Sequence, residues 1–94
     1  MRTERIKNHF HPLYNQAMQL YKMSFPYHEQ RELLSQNKIL GDDAYHFCLV
    51  YDNDIFVGLV LYWENDSFIY IEHFCIFPDM RNKQYGQKTL QLLE

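Results

Sequence analysis

Glu72-His-Phe-Cys-Ile-Phe-Pro-Asp-Met-Arg-Asn-Lys-Gln-Tyr-Gly-Gln-Lys-Thr-Leu-Gln-Leu-Leu-Glu94 is the stretch whose reading decides the fold. It opens as the end of an apolar strand, turns at Pro78-Asp79-Met80, passes through a polar arm from Arg81 to Gly86, and ends as a helix. In that helix Tyr85, Thr89 and Leu92 share one stripe, and Gly86, Leu90 and Leu93 the next, so the apolar face is continuous. A strand that feeds a glycine-containing, donor-rich loop into a helix start is suited to phosphate. Free backbone N–H groups converge there, the helix dipole adds partial positive charge, and glycine lets a ligand approach the main chain. Arg81, Lys83 and Lys88 surround that point with charge.

The arm Arg81-Asn82-Lys83-Gln84-Tyr85-Gly86 resembles the Gln/Arg-x-x-Gly-x-Gly/Ala signature of the GNAT-type N-acetyltransferases. The preceding Ile69-Tyr-Ile-Glu-His-Phe-Cys-Ile-Phe-Pro-Asp-Met80 is similar to that family's fourth strand, with its proline and acidic residue ahead of the arginine. The resemblance implies acetyl-coenzyme A as co-substrate. Its pyrophosphate would be held by the loop Arg81, Asn82, Lys83, Gln84, Tyr85, Gly86, Gln87 and Lys88, and its pantetheine arm by the main chain of Phe74, Cys75 and Ile76. One position departs from the pattern: Gln84 stands where the family has its first motif glycine. A side chain there is expected to narrow the approach to the pyrophosphate or to strain the loop.

Outward from this stretch, the chain reads as helices followed by strands. Arg2 to Asn8 is short and polar, with Ile6 as its apolar anchor, and fits an edge strand. His11-Pro12 offers a helix start, and Leu13, Ala17, Leu20 and Tyr21, widened by Tyr14, Met18 and Phe25, form an amphipathic stripe. Phe25-Pro26 ends that helix. Tyr27–Gln36 reads as a second helix, with Glu29 and Glu32 near its N-terminus where the dipole favours acids, and Asn37 to Ala44 as a loop. From Tyr45 the period changes. Tyr45–Tyr51, Ile55–Glu64 and Phe68–Phe77 read as strands joined by Asp52-Asn53-Asp54 and Asn65-Asp66-Ser67, hairpin turns rich in residues that tolerate left-handed dihedrals. On the last strand, simple alternation puts Ile69, Ile71, Cys75 and Phe77 on one face and Phe68, Tyr70, Phe74 and Ile76 on the other. Both faces are apolar, so both should be covered. The fold class is therefore α/β: an antiparallel β-meander with helices on both faces, the N-terminal portion of an acyl-CoA N-acyltransferase (GNAT-like) fold by resemblance.

Composition narrows the function classes. Ninety-four residues make one domain, and a hydrophobic content of 47% supports a packed core. A net charge of −3 argues against nucleic acid as partner, since that needs a basic face. No run is apolar enough for a membrane span, and no signal-peptide pattern opens the chain. Cys48 and Cys75 lie in strand-like runs without metal or disulfide spacing, which points to a cytoplasmic setting.

Among single residues, Glu72 is the candidate catalytic base. It falls on an apolar face beside Tyr70, Phe74 and Ile76, where desolvation would raise its pKa, and the competing reading is a glutamate paired with a lysine or facing a solvated gap. His73 would face the other way in a regular strand and reads as structural, although a bulge would alter that parity. His9 and His11 lack a third ligand, so no metal is expected. Cys75 reads as a small buried residue, and Phe25, Tyr27, Tyr62 and Trp63 as core. By position, Phe25-Pro26-Tyr27 corresponds to the family's acceptor-lining segment.

The resemblance implies acetyl transfer to a primary amine, on a small molecule or a peptide, by direct attack. It also implies a single domain, residues 1–94, truncated within the helix after strand 4, with a homodimer or higher homo-oligomer burying the exposed strand edge. The reading from a different class is a non-catalytic GNAT-like module that at most binds coenzyme A.

Overall fold

The computed structural model describes residues 1–81 and 83–93; Asn82 and Glu94 lie outside the described residues, as do the side chains of Tyr27, Leu33 and Leu34. Strand β1 (Arg2–Ile6) is followed by helix α1 (Tyr14–Ser24), a 3-10 turn (Tyr27–Glu29) and helix α2 (Leu33–Ile39). Strands β2 (Tyr45–Asp52), β3 (Ile55–Glu64) and β4 (Ile69–Ile76) come next, then a second 3-10 turn (Pro78–Met80) and helix α3 (Tyr85–Leu93). The strands form one antiparallel sheet in the order β1-β2-β3-β4, so β1 and β4 are its edges.

The sheet is apolar on both faces. On one face Tyr14, Ala17, Leu20 and Tyr21 of α1 pack on Phe47, Leu49, Leu59 and Leu61. On the other, Tyr85 and Leu93 of α3 pack with Cys48, Val50, Val57 and Val60. Helices thus cover both faces, as alternation in β2 and β3 requires. The α3 stripe is narrower than the sequence suggests. Tyr85 and Thr89 are buried, whereas Leu90 and Leu92 remain exposed.

Two departures from the sequence reading shape the site. First, the helix expected over Tyr27–Gln36 is a single 3-10 turn, a non-helical stretch, and a helix shifted to Leu33–Ile39, which takes in the start of the expected loop. His28-Glu29-Gln30-Arg31-Glu32 has no apolar side chain to bury, so it cannot form one face of an amphipathic helix. Instead the Gln30 amide donates to the carbonyls of Phe25 (2.7 Å) and Lys22 (3.1 Å) at the end of α1, where helix carbonyls lack partners. The Arg31 backbone N–H donates to the Tyr21 hydroxyl at 3.0 Å.

Second, β4 is bulged. Leu61 faces His73 and Tyr62 faces Ile71, so Glu72 is the extra residue. Alternation holds for Phe74, Cys75, Ile76 and Phe77 but is inverted ahead of the bulge. Ile69 packs with Phe74 and Ile76 in the α3-side core, not with Cys75. Past the bulge, Gly58 opposes Ile76, and a Cβ at Gly58 would collide with the Cys75 carbonyl oxygen. Only glycine lets β4 lie this close to β3.

The turns differ from each other. Asn53 takes the left-handed conformation (φ 55°) expected of it. Asn65 does not; its side-chain oxygen accepts the N–H groups of Ser67 and Phe68.

Candidate active site

Two hollows lie along β4, one on either side of the step from His73 to Phe74. The first follows the C-terminal half of the strand. Ser24, Phe25, Phe74, Cys75, Ile76, Arg81 and Gly86 line about 310 Å3 of it. It continues into a hollow of about 330 Å3 lined by Met80, Gln84, Tyr85 and Gln87, with Ile76, Arg81 and Gly86 common to both. One wall is the edge of β4, whose outward N–H and C=O groups have no neighbouring strand among the described residues. The far end is the start of α3. The first intrahelical bond there runs from the Lys88 N–H to the Gln84 carbonyl, at 3.1 Å. Among the described residues, the N–H groups of Tyr85, Gly86 and Gln87 have no intrahelical partner.

The loop residues divide by what their side chains do. Arg81 is exposed, with Nε 3.4 Å from the Ile76 carbonyl, so its guanidinium sits at the junction of strand and helix. Lys83 and Gln87 are exposed, and Lys88 Nζ lies 5.6 Å from the centre of the Tyr85 ring. Tyr85 turns inward. Its ring is in the core and its hydroxyl donates to Asp52 Oδ2 at 2.7 Å, which ties the start of α3 to the β2–β3 turn and leaves only its main chain for a ligand. Gln84 has φ 61°, the left-handed region that glycine occupies freely, so the strain expected of a side chain at this position is present. Gly86 is different. A Cβ there would meet the Phe74 ring at 3.7 Å, an ordinary contact, so packing does not demand glycine. The space beside it is the groove itself. Asn82 lies outside the described residues.

The second hollow, about 440 Å3, is lined by Glu29, Gln30, Arg31, Glu72 and His73. Glu72 faces α1 and α2 rather than Phe74 and Ile76, because it is the bulged residue. Its carboxylate receives Arg31 Nη1 on Oε1 (2.8 Å), Arg31 Nη2 on Oε2 (3.0 Å), and the Trp63 indole N–H on Oε2 (3.1 Å). Burial pushes the Glu72 pKa up, but these hydrogen bonds and the Arg31 charge outweigh it and hold the carboxyl below its ordinary value. This corrects the expected upward shift. The pairing reading also changes partner, from a lysine to an arginine 41 residues away. Behind the pair, Gln36 is fully buried and donates to the Tyr45 hydroxyl at 2.9 Å.

His73 points to the same face, with its ring between Tyr21 (5.1 Å between centroids) and Phe25 (4.5 Å). Phe25 thereby separates the two hollows; the Tyr27 side chain lies outside the described residues. Burial raises the thiols of Cys75 and Cys48, the latter to about 11, so neither is a ready nucleophile. His11 is engaged elsewhere: its Nδ1 accepts the Leu13 N–H and its Nε2–H donates to Glu4 at 2.8 Å. Among the described residues no group of three or more His, Cys, Asp or Glu side chains is arranged to hold a metal. Among them, too, no helix is long and apolar enough to cross a membrane.

Sequence reasoning missed Arg31 and Trp63 as the partners of Glu72. The polar run from His28 to Glu32 was the available signal for Arg31.

The sequence model of the acetyltransferase (GNAT) family matches residues 10–94, which takes in both hollows. The chain belongs to the GNAT family. A solved structure from Bacteroides thetaiotaomicron, assigned to GNAT acetyltransferases, superposes with a TM-score of 0.88 at 33% identity, over 99% of this chain and 53% of that one. The chain thus spans about half the length of that GNAT relative. Curated proteins gave no match.

Proposed function

We propose that this GNAT chain binds acetyl-coenzyme A along β4 and serves transfer of its acetyl group to a primary amine. The observation that carries this is the continuity of the open β4 edge at Phe74–Ile76 with the start of α3, through Arg81 and Gly86. A pantetheine arm carries amide groups that can pair with a strand edge, as a peptide does in β-augmentation. The pyrophosphate would meet the N–H groups of Tyr85, Gly86 and Gln87 at the start of α3, with Arg81, Lys83 and Lys88 adding charge and Gln84 completing the turn into the helix.

The co-substrate supplies the acyl group as a thioester. The protein's part is alignment and proton transfer. The amine nitrogen bonds to the carbonyl carbon, the carbon–sulfur bond breaks, and the sulfur leaves with a proton. The hollow at Glu72 and His73 adjoins the groove where the thioester would lie, and exposed Glu29 at its rim favours a cationic acceptor, on a small molecule or a peptide. Glu72 and His73 line the hollow in which the amine's proton would be removed.

A rise in thermal stability with acetyl-coenzyme A tests binding, with ATP as competitor to separate coenzyme from nucleotide recognition. Thiol release with a panel of amines tests turnover. Binding without turnover would favour the second reading, a non-catalytic module. We further propose self-association along β4, where Phe68, Tyr70 and Ile71 are exposed beside an edge with no neighbouring strand among the described residues. A clean monomer in light scattering at micromolar concentration would count against it. The free, buried cysteines fit a reducing cytoplasm.

A further inference from the structure

Neighbouring residues of a regular strand point to opposite faces, so a side-chain pair formed by Glu72 and His73 requires an irregularity. The bulge supplies it. With Glu72 unpaired in the ladder, both side chains reach the α1–α2 face, and His73 Nδ1 comes to 3.5 Å from Glu72 Oε1. That nitrogen is sealed from solvent and has no hydrogen-bond partner. A lone pair facing a carboxylate across this distance would be repelled, while an N–H would be attracted. The proton of a neutral His73 therefore belongs on Nδ1, which leaves the Nε2 lone pair for the hollow that His73 lines.

Glu72 is poorly placed to be the base itself. Its oxygens receive Arg31 and Trp63, and its carboxyl is held below the ordinary range, so it does not keep a proton near neutral pH. Each carboxylate oxygen has a second lone pair, however, and that of Oε1 is open to His73. Among the described residues, the other titratable or charged groups near the pair are Tyr21 from α1, Glu29 and Arg31 ahead of α2, and Tyr45 from β2.

We propose that His73 Nε2 takes the proton from the acceptor amine, and that Glu72 is a positioning residue that fixes the imidazole tautomer and faces the imidazolium once formed. This rests on the acetyl-transfer role proposed above. The proton balance is simple. An ammonium acceptor gives one N–H proton to His73 before attack, passes one to the departing sulfur, and keeps one on the new amide. Imidazole suits the first step because it can take a proton on one nitrogen while holding one on the other.

Nitrogen-15 NMR of the full chain, labelled at histidine, tests the pair without needing turnover. His73→Gln identifies the resonance among the five histidines. Neutral His73 is expected to carry its proton on Nδ1, the minority form of free imidazole, and Glu72→Gln is expected to return it towards the usual mixture. An Nε2–H tautomer in the unaltered chain overturns the proposal even if Glu72→Gln fails to fold. So does an unchanged tautomer in a folded Glu72→Gln. In the thiol-release assay His73→Gln is expected to lower kcat by about 100-fold or more, with KM for acetyl-coenzyme A little changed; an unaltered kcat overturns the role as base. A chain that binds no coenzyme and acetylates nothing would instead fail the acetyl-transfer reading, and the tautomer would still decide whether Glu72 orients His73.

Discussion

The two hollows share one strand but are made in opposite ways. The groove along Phe74–Ile76 is built from main chain: an open edge, the amides at the start of α3, and Arg81 close by in sequence. The Glu72–His73 hollow is built from side chains brought together across the fold, with Arg31 reaching over 41 residues of sequence. Main-chain recognition tolerates side-chain variation and survives as a motif. A side-chain cluster depends on one bulge and on the non-helical course of Gln30–Glu32. The two parts should therefore fail separately.

The largest expected effect is on the side-chain hollow. Arg31→Ala leaves the Glu72 carboxylate without its main partner. Side-chain exposures of 24% and 20% place the pair mostly out of water, so screening is limited. The expected loss in denaturant unfolding is about 3 kcal/mol, with coenzyme affinity of the folded chain kept. Equal loss of coenzyme binding would erase the distinction between the regions. The same pair sets the acid response. The Glu72 carboxyl is depressed in the folded chain, so its contribution is complete above the ordinary value of 4.5 and is lost as pH falls through the lower folded value. In Glu72→Gln the loss of stability below that pH is expected to be shallower.

Gly58→Ala strikes at the boundary between the two regions. The added Cβ meets the Cys75 carbonyl and Ile76, and overpacking of this kind costs about 1–3 kcal/mol. Because the displaced main chain is the groove wall, coenzyme affinity should fall as well. Loss of stability without loss of affinity would mean that the ligand does not use β4.

Within the groove, Arg81→Ala is expected to weaken coenzyme binding by about 1–3 kcal/mol in calorimetry, as for a lost charged hydrogen bond. Gly86→Val should weaken it further. The space at Gly86 accepts a Cβ, so a binding defect in a folded Gly86→Val chain would report the ligand rather than the fold. The smallest effect is at Gln84. Relief of its left-handed backbone by Gln84→Gly is expected to add about 0.5–1 kcal/mol of stability and to tighten coenzyme binding. A weaker affinity would mean that the glutamine side chain makes a contact of its own.

How far the sequence could be read follows the same division. The strands announced themselves through β-branched and aromatic runs, and β3 has the predicted bounds Ile55–Glu64. The strand–turn–arm–helix order from Ile69 to Leu93 is local, so it was legible, down to the strain at Gln84. The bulge was open there only as an alternative, and its place at Glu72 was not legible. Alternation places Ile69 with Cys75, and only pairing with β3 reveals that one residue is skipped. The second helix failed for a related reason. Acids near its N-terminus suited Tyr27–Gln36 to a helix, but the polar run His28–Glu32 is held by hydrogen bonds from Gln30 to the end of α1 and by Arg31 meeting β4, 41 residues away.

Chemical-shift mapping with coenzyme A tests the central claim most directly. The account expects saturable shifts of the amides of Phe74, Cys75, Ile76, Arg81, Tyr85, Gly86 and Gln87, with those of Arg31 and Glu72 little moved in the absence of an acyl acceptor. Shifts confined to another part of the surface, or none that saturate, would contradict it.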